Sequence, residues 1–246
     1  MVETEFILEK LAKYPTFNRA DLHLIMALNN VKTTDNIVNH MIKRMIDNRD
    51  IIRIGRNQYK LSGSKKIYQF PHSEQVILLA DEIIKAHPFL DFRLFELIQI
   101  NEFVNHQVAN NIIFLFVEGG LETDVFNTLF ENHRGSILLK PSIEELYRYM
   151  TDDIIVIEKL PSESPKGINA FWDTRLEKML VDIVVDKILS KVVYKGEYQV
   201  IFHDAVEKYA IDKNVIVRYL RRRGAYEKFL KFISEEVNFV SKELKL

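Results

Sequence analysis

The sequence predicts an α+β protein in two parts. Three observations carry the prediction: helix-spaced apolar residues up to about residue 46, a short alternating run hinged on a glycine at 51–61, and strand-like segments alternating with helical ones further on. The 246 residues are 47% hydrophobic and 28% charged with a formal net charge of −1, an ordinary globular composition. The longest apolar runs, "IIFLFV" and "MLVDIVVDKIL", are too short or too interrupted by charge to span a membrane. The start, "MVETEFILEK", is acidic rather than signal-like. A cytoplasmic location and no membrane partner are expected.

In "TEFILEKLAKY", Ile7, Leu8 and Leu11 share one helical face. In "NRADLHLIMALNN", Asn18 can cap a helix whose inner face holds Leu22, Ile25 and Met26. A third helix, capped by Thr33 or Thr34, is expected to bury Ile37, Val38, Met41, Ile42 and Met45. In "DIIRIGRNQYKLS", Ile52 and Ile54 flank Arg53, Gly55 relieves the turn, and Tyr59 and Leu61 flank Lys60, which predicts a β-hairpin. Three helices followed by a hairpin is the order of a winged helix-turn-helix, in which the third helix enters the major groove and the hairpin lies along the backbone.

"SGSKKIYQFPHSE" has no periodicity and predicts a boundary, giving a DNA-binding part at 1–66 and a second domain at 67–246. There, "DFRLFEL", "IIFLFVE", "SILLKPS" and "DIIVIEKL" predict strands, and "NEFVNHQVAN", "LETDVFNTLFENH" and "SIEELYRYM" predict helices, the pattern of an α/β domain. A helical C-terminal region follows. Its first stripe is Leu176, Met179, Leu180, Ile183, Val184 and Ile188. Val206, Tyr209 and Ala210 suggest a helix after "GEYQVIFHD", and two amphipathic segments break at Gly224 in "NVIVRYLRRRGAYEKFLKFISEEVNFVSKEL".

Charge separates the two parts. Residues 1–70 hold twelve Lys/Arg against seven acids, a net +5, so the remainder carries −6. On the third helix the face opposite the apolar stripe presents Asn36, Asn39, His40, Lys43 and Arg44, with Thr33 and Thr34 at its start. Asn can pair bidentately with adenine, Lys and Arg reach guanine or phosphate, and a helix start takes a phosphate oxygen. Any exposed helix face is polar, so the hairpin decides: Arg53, Arg56 and Lys60 put cations where phosphates would lie, and Lys65 and Lys66 extend the track. Double-stranded operator DNA is the expected partner.

The second part offers weaker signals. With no cysteine, thiolate zinc sites, disulfides and cysteine nucleophiles are excluded, and the seven histidines form no close ligand pair. The paired glycines of "FVEGGLETDVF" lack either phosphate-loop spacing and read as a tight strand-to-helix turn. In "DDIIVIEKL", Asp153, Glu158 and Lys159 tempt a metal-dependent nuclease reading, but adjacent residues leave a strand on opposite faces. Asp182 and Asp186 share a helical face and could chelate a cation, or be solvated or paired with lysine, while Glu177 suits the start of that helix. Arg221, Arg222 and Arg223 cannot all share one solvated face. Either at least one pairs internally or the group forms an anion-binding patch. No catalytic residue, metal or cofactor is expected.

The words "INEFVNHQ", "FVEGGLETDVFNTL", "ILLKPS", "RLEKMLVDIVVDK", "KGEYQVIF" and "VRYLRRRG", in this order, resemble the AbiEi-like antitoxins and related bacterial proteins of the DUF6577 type. The resemblance implies a non-enzymatic cytosolic protein whose first domain binds operator DNA and represses its own operon. It also implies a C-terminal antitoxin-type domain opposing a nucleotidyltransferase toxin indirectly, in a type IV toxin-antitoxin system of phage defence. The reading helix then falls on Thr34 to Met45 and the wing on Ile51 to Leu61. Where the family has a glycine in the wing, this chain has Asn57, which tolerates positive φ. A nuclease built on the α/β domain, and a regulator without a toxin, are the alternatives.

Overall fold

The computed structural model describes residues 4–14, 16–29, 31, 33–62 and 67–237; Lys65, Lys66 and the end of the last expected helix past 237 lie outside the described residues. The chain divides into two compact units, Met1–Ile67 and Tyr68–Leu246.

In the first unit, α1 (Thr4–Leu11), α2 (Arg19–Leu28) and α3 (Asp35–Asp47) precede an antiparallel hairpin of β1 (Ile51–Gly55) and β2 (Gln58–Leu61). Asn18 caps α2: its side chain accepts from the Ala20 and Asp21 amides, and the Asp21 carboxylate accepts from the Asn18 amide. Thr34, not Thr33, caps α3, its hydroxyl accepting from the Ile37 amide at 3.4 Å. The core joins Ile7 and Leu11 to Leu22, Ile25 and Met26, to Val38, Met41, Ile42 and Met45, and to Ile51 and Tyr59 of the hairpin. Phe17 and Tyr59 exchange both backbone hydrogen bonds at 2.8 Å and stack their rings, which fastens the hairpin to this core.

Two local expectations change. Ile37 is 42% exposed rather than buried. At about 100° per residue it sits roughly 100° from Val38, off the stripe that Val38, Met41, Ile42 and Met45 bury. In the turn, Asn57 and not Gly55 takes the left-handed conformation, with φ 55°, and its Oδ1 accepts from the Arg19 amide. A Cβ on Gly55 would meet only ordinary contacts with Gln58.

The second unit is built on a mixed sheet ordered β3 (Phe92–Glu96), β4 (Ile112–Val117), β6 (Ile154–Lys159), β5 (Ile137–Leu139); β3 and β4 are antiparallel, the other pairs parallel. The strands are apolar almost throughout because both faces are covered. One face, with Leu94, Ile113, Leu115, Ile155 and Ile157, packs on α4 (Glu74–Ala86) and α5 (Glu122–Phe130). The other, with Phe95, Phe114, Phe116 and Val156, packs on α7 (Leu176–Val185), α9 (Tyr198–Lys208), α10 (Lys213–Arg222) and α11 (Tyr226–Glu236). α6 (Ile143–Tyr149) leads into β6, and the short α8 (Leu189–Val192) follows α7.

The four expected strands form, as do the helices at α5 and α6. Three assignments differ. "NEFVNHQVAN" is not a helix: a 3-10 segment ends at Glu102, and side chains then take over the backbone groups. Asn101 Oδ1 accepts from the Val108 amide at 2.7 Å and Glu197 Oε2 from the Asn105 amide at 3.0 Å. The helix expected after "GEYQVIFHD" is α9, which begins at Tyr198 inside those words. α4, with Val76, Leu79, Ala80 and Ile83 buried at helical spacing behind the cap Ser73, is a helix beyond those expected from the sequence.

Candidate nucleic-acid interface and charged sites

In the first unit, burial of one side of α3 turns Asn36, Asn39, His40 and Lys43 outward, all exposed. Thr34 is exposed at the start of the helix but its hydroxyl is engaged by the cap; Thr33 is half-buried. Arg44 departs from the expected face: its Nη2 donates to Thr4 Oγ1 of α1, and its Nε is buried with no hydrogen-bond partner among the described residues. His23 of α2 meets the exposed Asp35 at 3.0 Å, placing a carboxylate beside the start of α3. On the hairpin, Arg53, Arg56 and Lys60 are all exposed, and Arg53 Nε donates to the Gly55 carbonyl at 3.1 Å.

In the second unit, the acids of the nuclease reading do not converge. Asp153 precedes β6 and accepts from Asn111 Nδ2 at 2.7 Å. Glu158 lies five residues further along an extended strand, about 16 Å away. Asp182 is sealed in the core, and no group of three His, Asp or Glu that could hold a metal occurs among the described residues. The glycine pair forms a turn onto its own helix: Gly120, at φ 98°, donates its amide to Glu122 Oε2 at 2.7 Å. Burial pushes the Glu122 carboxyl up, but bonds from its own amide, Lys140 and Gly120 outweigh this and hold it below the usual range.

Asp182 organises a buried ionic centre. Lys178 is fully buried and Asp182 1% exposed; Asp182 accepts from Lys178, from Arg223 and from the Tyr219 hydroxyl at 3.0 Å. Arg223 also reaches Asp186 at 3.3 Å, and Asp186 in turn accepts from the Ile188 and Leu189 amides. A guanidinium thus stands between the two carboxylates in place of a chelated cation. The Lys178 ammonium lies 3.7 Å over the Phe116 ring; burial lowers its pKa, opposed by Asp182. Arg223 is held above its ordinary range, burial being outweighed first by the Asp182 charge. Solvated side chains, one of the readings of the Asp182–Asp186 pair, are therefore replaced by a core network, with Arg223 paired inward.

Sheet register extends this centre. Phe116 is flanked across the sheet by Arg93 and Glu158. Arg93 is fully buried and donates to the Pro165 and Ser164 carbonyls at 3.0 and 3.1 Å and to Asp91, pinning the loop after β6. Glu158 is half-buried, its carboxyl pushed up to about 7 by burial and then by Asp186, against Lys140 and Lys187. A carboxyl raised in the fold contributes stability that is complete below 4.5 and is lost as pH rises through about 7. Glu158→Gln is therefore expected to stabilise the protein by on the order of 1–2 kcal/mol above about pH 8 and by little near pH 4. Thermal melts at both pH values check this; equal shifts would contradict it.

His72 bridges Glu96 at 2.8 Å and Asp173 at 2.9 Å. Burial works against its protonation, but the bonds to Asp173 and Glu96 prevail and push it up to about 9. Arg221 and Arg222 remain outside the core. With Lys213 and Arg218 they line an open cleft beside Tyr226 and Glu163, apart from Arg223, which the core network takes.

The chain is thus mixed α+β, and its described residues include an exposed polar helix-and-hairpin surface and a cationic cleft. The model of DUF6577, a family of unknown function, matches residues 37–238, and the chain belongs to that family. A crystal structure of the RV2827C protein from Mycobacterium tuberculosis is similar over 89% of this chain and 71% of that chain, at 10% identity with a TM-score of 0.33. No curated protein matches the sequence. Among the described residues, no helix is long and apolar enough to cross a membrane.

Proposed function

We propose that the chain is a sequence-specific DNA-binding regulator of its own operon, its first unit acting as a winged helix-turn-helix. The observation that carries this reading is that a single small unit exposes Asn36, Asn39, His40 and Lys43 on α3 and Arg53, Arg56 and Lys60 on the hairpin that follows. In this reading the hairpin cations contact phosphates and set affinity, and the α3 side chains read base edges. Exposed Ile37 adds an apolar surface that suits a thymine methyl, whereas Arg44 holds α1 to α3 and makes no DNA contact. The second unit, on the strength of the AbiEi-like words alone, opposes a nucleotidyltransferase toxin without a stable complex.

The test is a gel shift on the DNA immediately upstream of the gene against a scrambled duplex. The upstream duplex should be preferred, and Asn39→Ala should cost about 1–3 kcal/mol of that preference while leaving binding to the scrambled duplex unchanged. Equal binding of both duplexes by the wild type would remove the regulator reading.

A further inference from the structure

α10 carries a second cationic surface, remote in sequence from the helix and hairpin proposed to meet DNA. Its inner side buries Val215, Ile216, Tyr219 and Leu220. Its outer side, with the start of α11, forms an open cleft of about 690 Å³ in which Lys213, Arg218, Arg221 and Arg222 face a single carboxylate, Glu163. Arg222 is committed: its Nε donates to Ser162 Oγ at 2.6 Å and lies 3.7 Å from Glu163. Among the described residues no carboxylate forms a salt bridge with Lys213, Arg218 or Arg221, while the adjacent Arg223 is neutralised in the core. Cations gathered without counter-charge repel one another, and a bound polyanion relieves that repulsion.

The cleft is also more than a charge cluster. The Arg221 guanidinium lies 5.5 Å over the Tyr226 ring, giving a wall of flat groups beside the cations. Its size falls in the range of sites for small organic ligands, about 300–1,000 Å³, and far exceeds a single inorganic anion. Guanidinium and tyrosine planes are the surfaces on which nucleobases stack, and guanidinium groups suit phosphate oxygens.

We propose that this cleft binds a nucleotide, its phosphates on Lys213, Arg218 and Arg221 and its base against Tyr226. The nucleotide is either a nucleoside triphosphate or the phosphorylated end of a single strand. The proposal goes beyond the regulator reading and does not depend on it.

Titration calorimetry of the full chain with ATP, GTP, tripolyphosphate and a 5′-phosphorylated single-stranded octamer tests it. A nucleoside triphosphate or the octamer should bind more tightly than tripolyphosphate. Arg218→Ala and Arg221→Ala should each weaken that binding about tenfold, and Tyr226→Ala should bring it down to the tripolyphosphate level. If the triphosphates bind best the ligand is the free nucleotide; if the octamer does, it is a strand end. No binding by any probe, tripolyphosphate binding as tightly as every nucleotide probe, or full nucleotide affinity in both arginine variants would overturn the proposal. Arg218 and Arg221 are exposed and Tyr226 is half-buried against the core, so unchanged melting temperatures with unchanged upstream-duplex binding separate loss of this site from misfolding and from failure of the regulator reading.

Discussion

Asp182→Ala is expected to destabilise the second unit by about 3–5 kcal/mol, a large share of the roughly 5–15 kcal/mol by which a domain is stable. The replacement removes the acceptor shared by Lys178, Arg223 and the Tyr219 hydroxyl, and leaves a fully buried ammonium beside the Phe116 and Tyr219 rings without its carboxylate. Water cannot reach that ammonium, so the loss is the cost of an unpaired buried charge rather than the worth of one ion pair. The melting temperature should fall by roughly 10 °C. Lys178→Met combined with Asp182→Leu should recover part of the loss, because an apolar pair leaves less charge stranded. A fall within 1 kcal/mol of wild type for Asp182→Ala, an amount typical of surface positions, would mean that the centre is hydrated.

Arg53→Ala with Arg56→Ala should weaken binding to the upstream duplex and flatten its salt dependence by a slope of about 2, since each phosphate contact contributes about 0.9. Both arginines are exposed, and Arg53 donates to the Gly55 carbonyl beside it, so the fold should be unaffected. The variant should lose affinity for upstream and scrambled duplexes alike, which distinguishes it from Asn39→Ala, whose loss falls on the preferred sequence. Loss of affinity with an unchanged slope would assign the two arginines a role other than phosphate contact.

Local rules made some of this protein legible and misjudged other parts. Asn18, Thr34 and Asn57 act through their own neighbouring amides and dihedrals, so their roles could be read from the sequence and appear in the structure. The hydrophobic strands declared themselves because both sheet faces are covered. Long-range partners were invisible. Lys178 and Asp182 at four-residue spacing are the usual pattern of a solvated helix pair, and only the packing of α10 and the sheet on α7 makes them a core element. Arg223 left the arginine patch for the same reason.

Other features are written in the sequence at helical spacing. Ser73 followed by Val76, Leu79, Ala80 and Ile83 announces α4 as clearly as Asn18 announces α2. Arg221 and Arg222 follow Arg218 by three and four residues on α10 and Lys213 precedes it by five, and together these four cations line the cleft. The segment 103–110 had no such warning, because its backbone is claimed by Asn101 and by Glu197, the latter more than ninety positions away.

The proposed regulator requires α3 and the hairpin to bind DNA in a sequence-dependent way. Fluorescence anisotropy of the full chain on labelled upstream and scrambled duplexes, from 50 to 200 mM salt, measures it directly. The upstream duplex should bind more tightly at every salt concentration, with a steep fall with salt that the Arg53→Ala, Arg56→Ala variant flattens. Weak binding, equal for both duplexes and indifferent to salt, would contradict it.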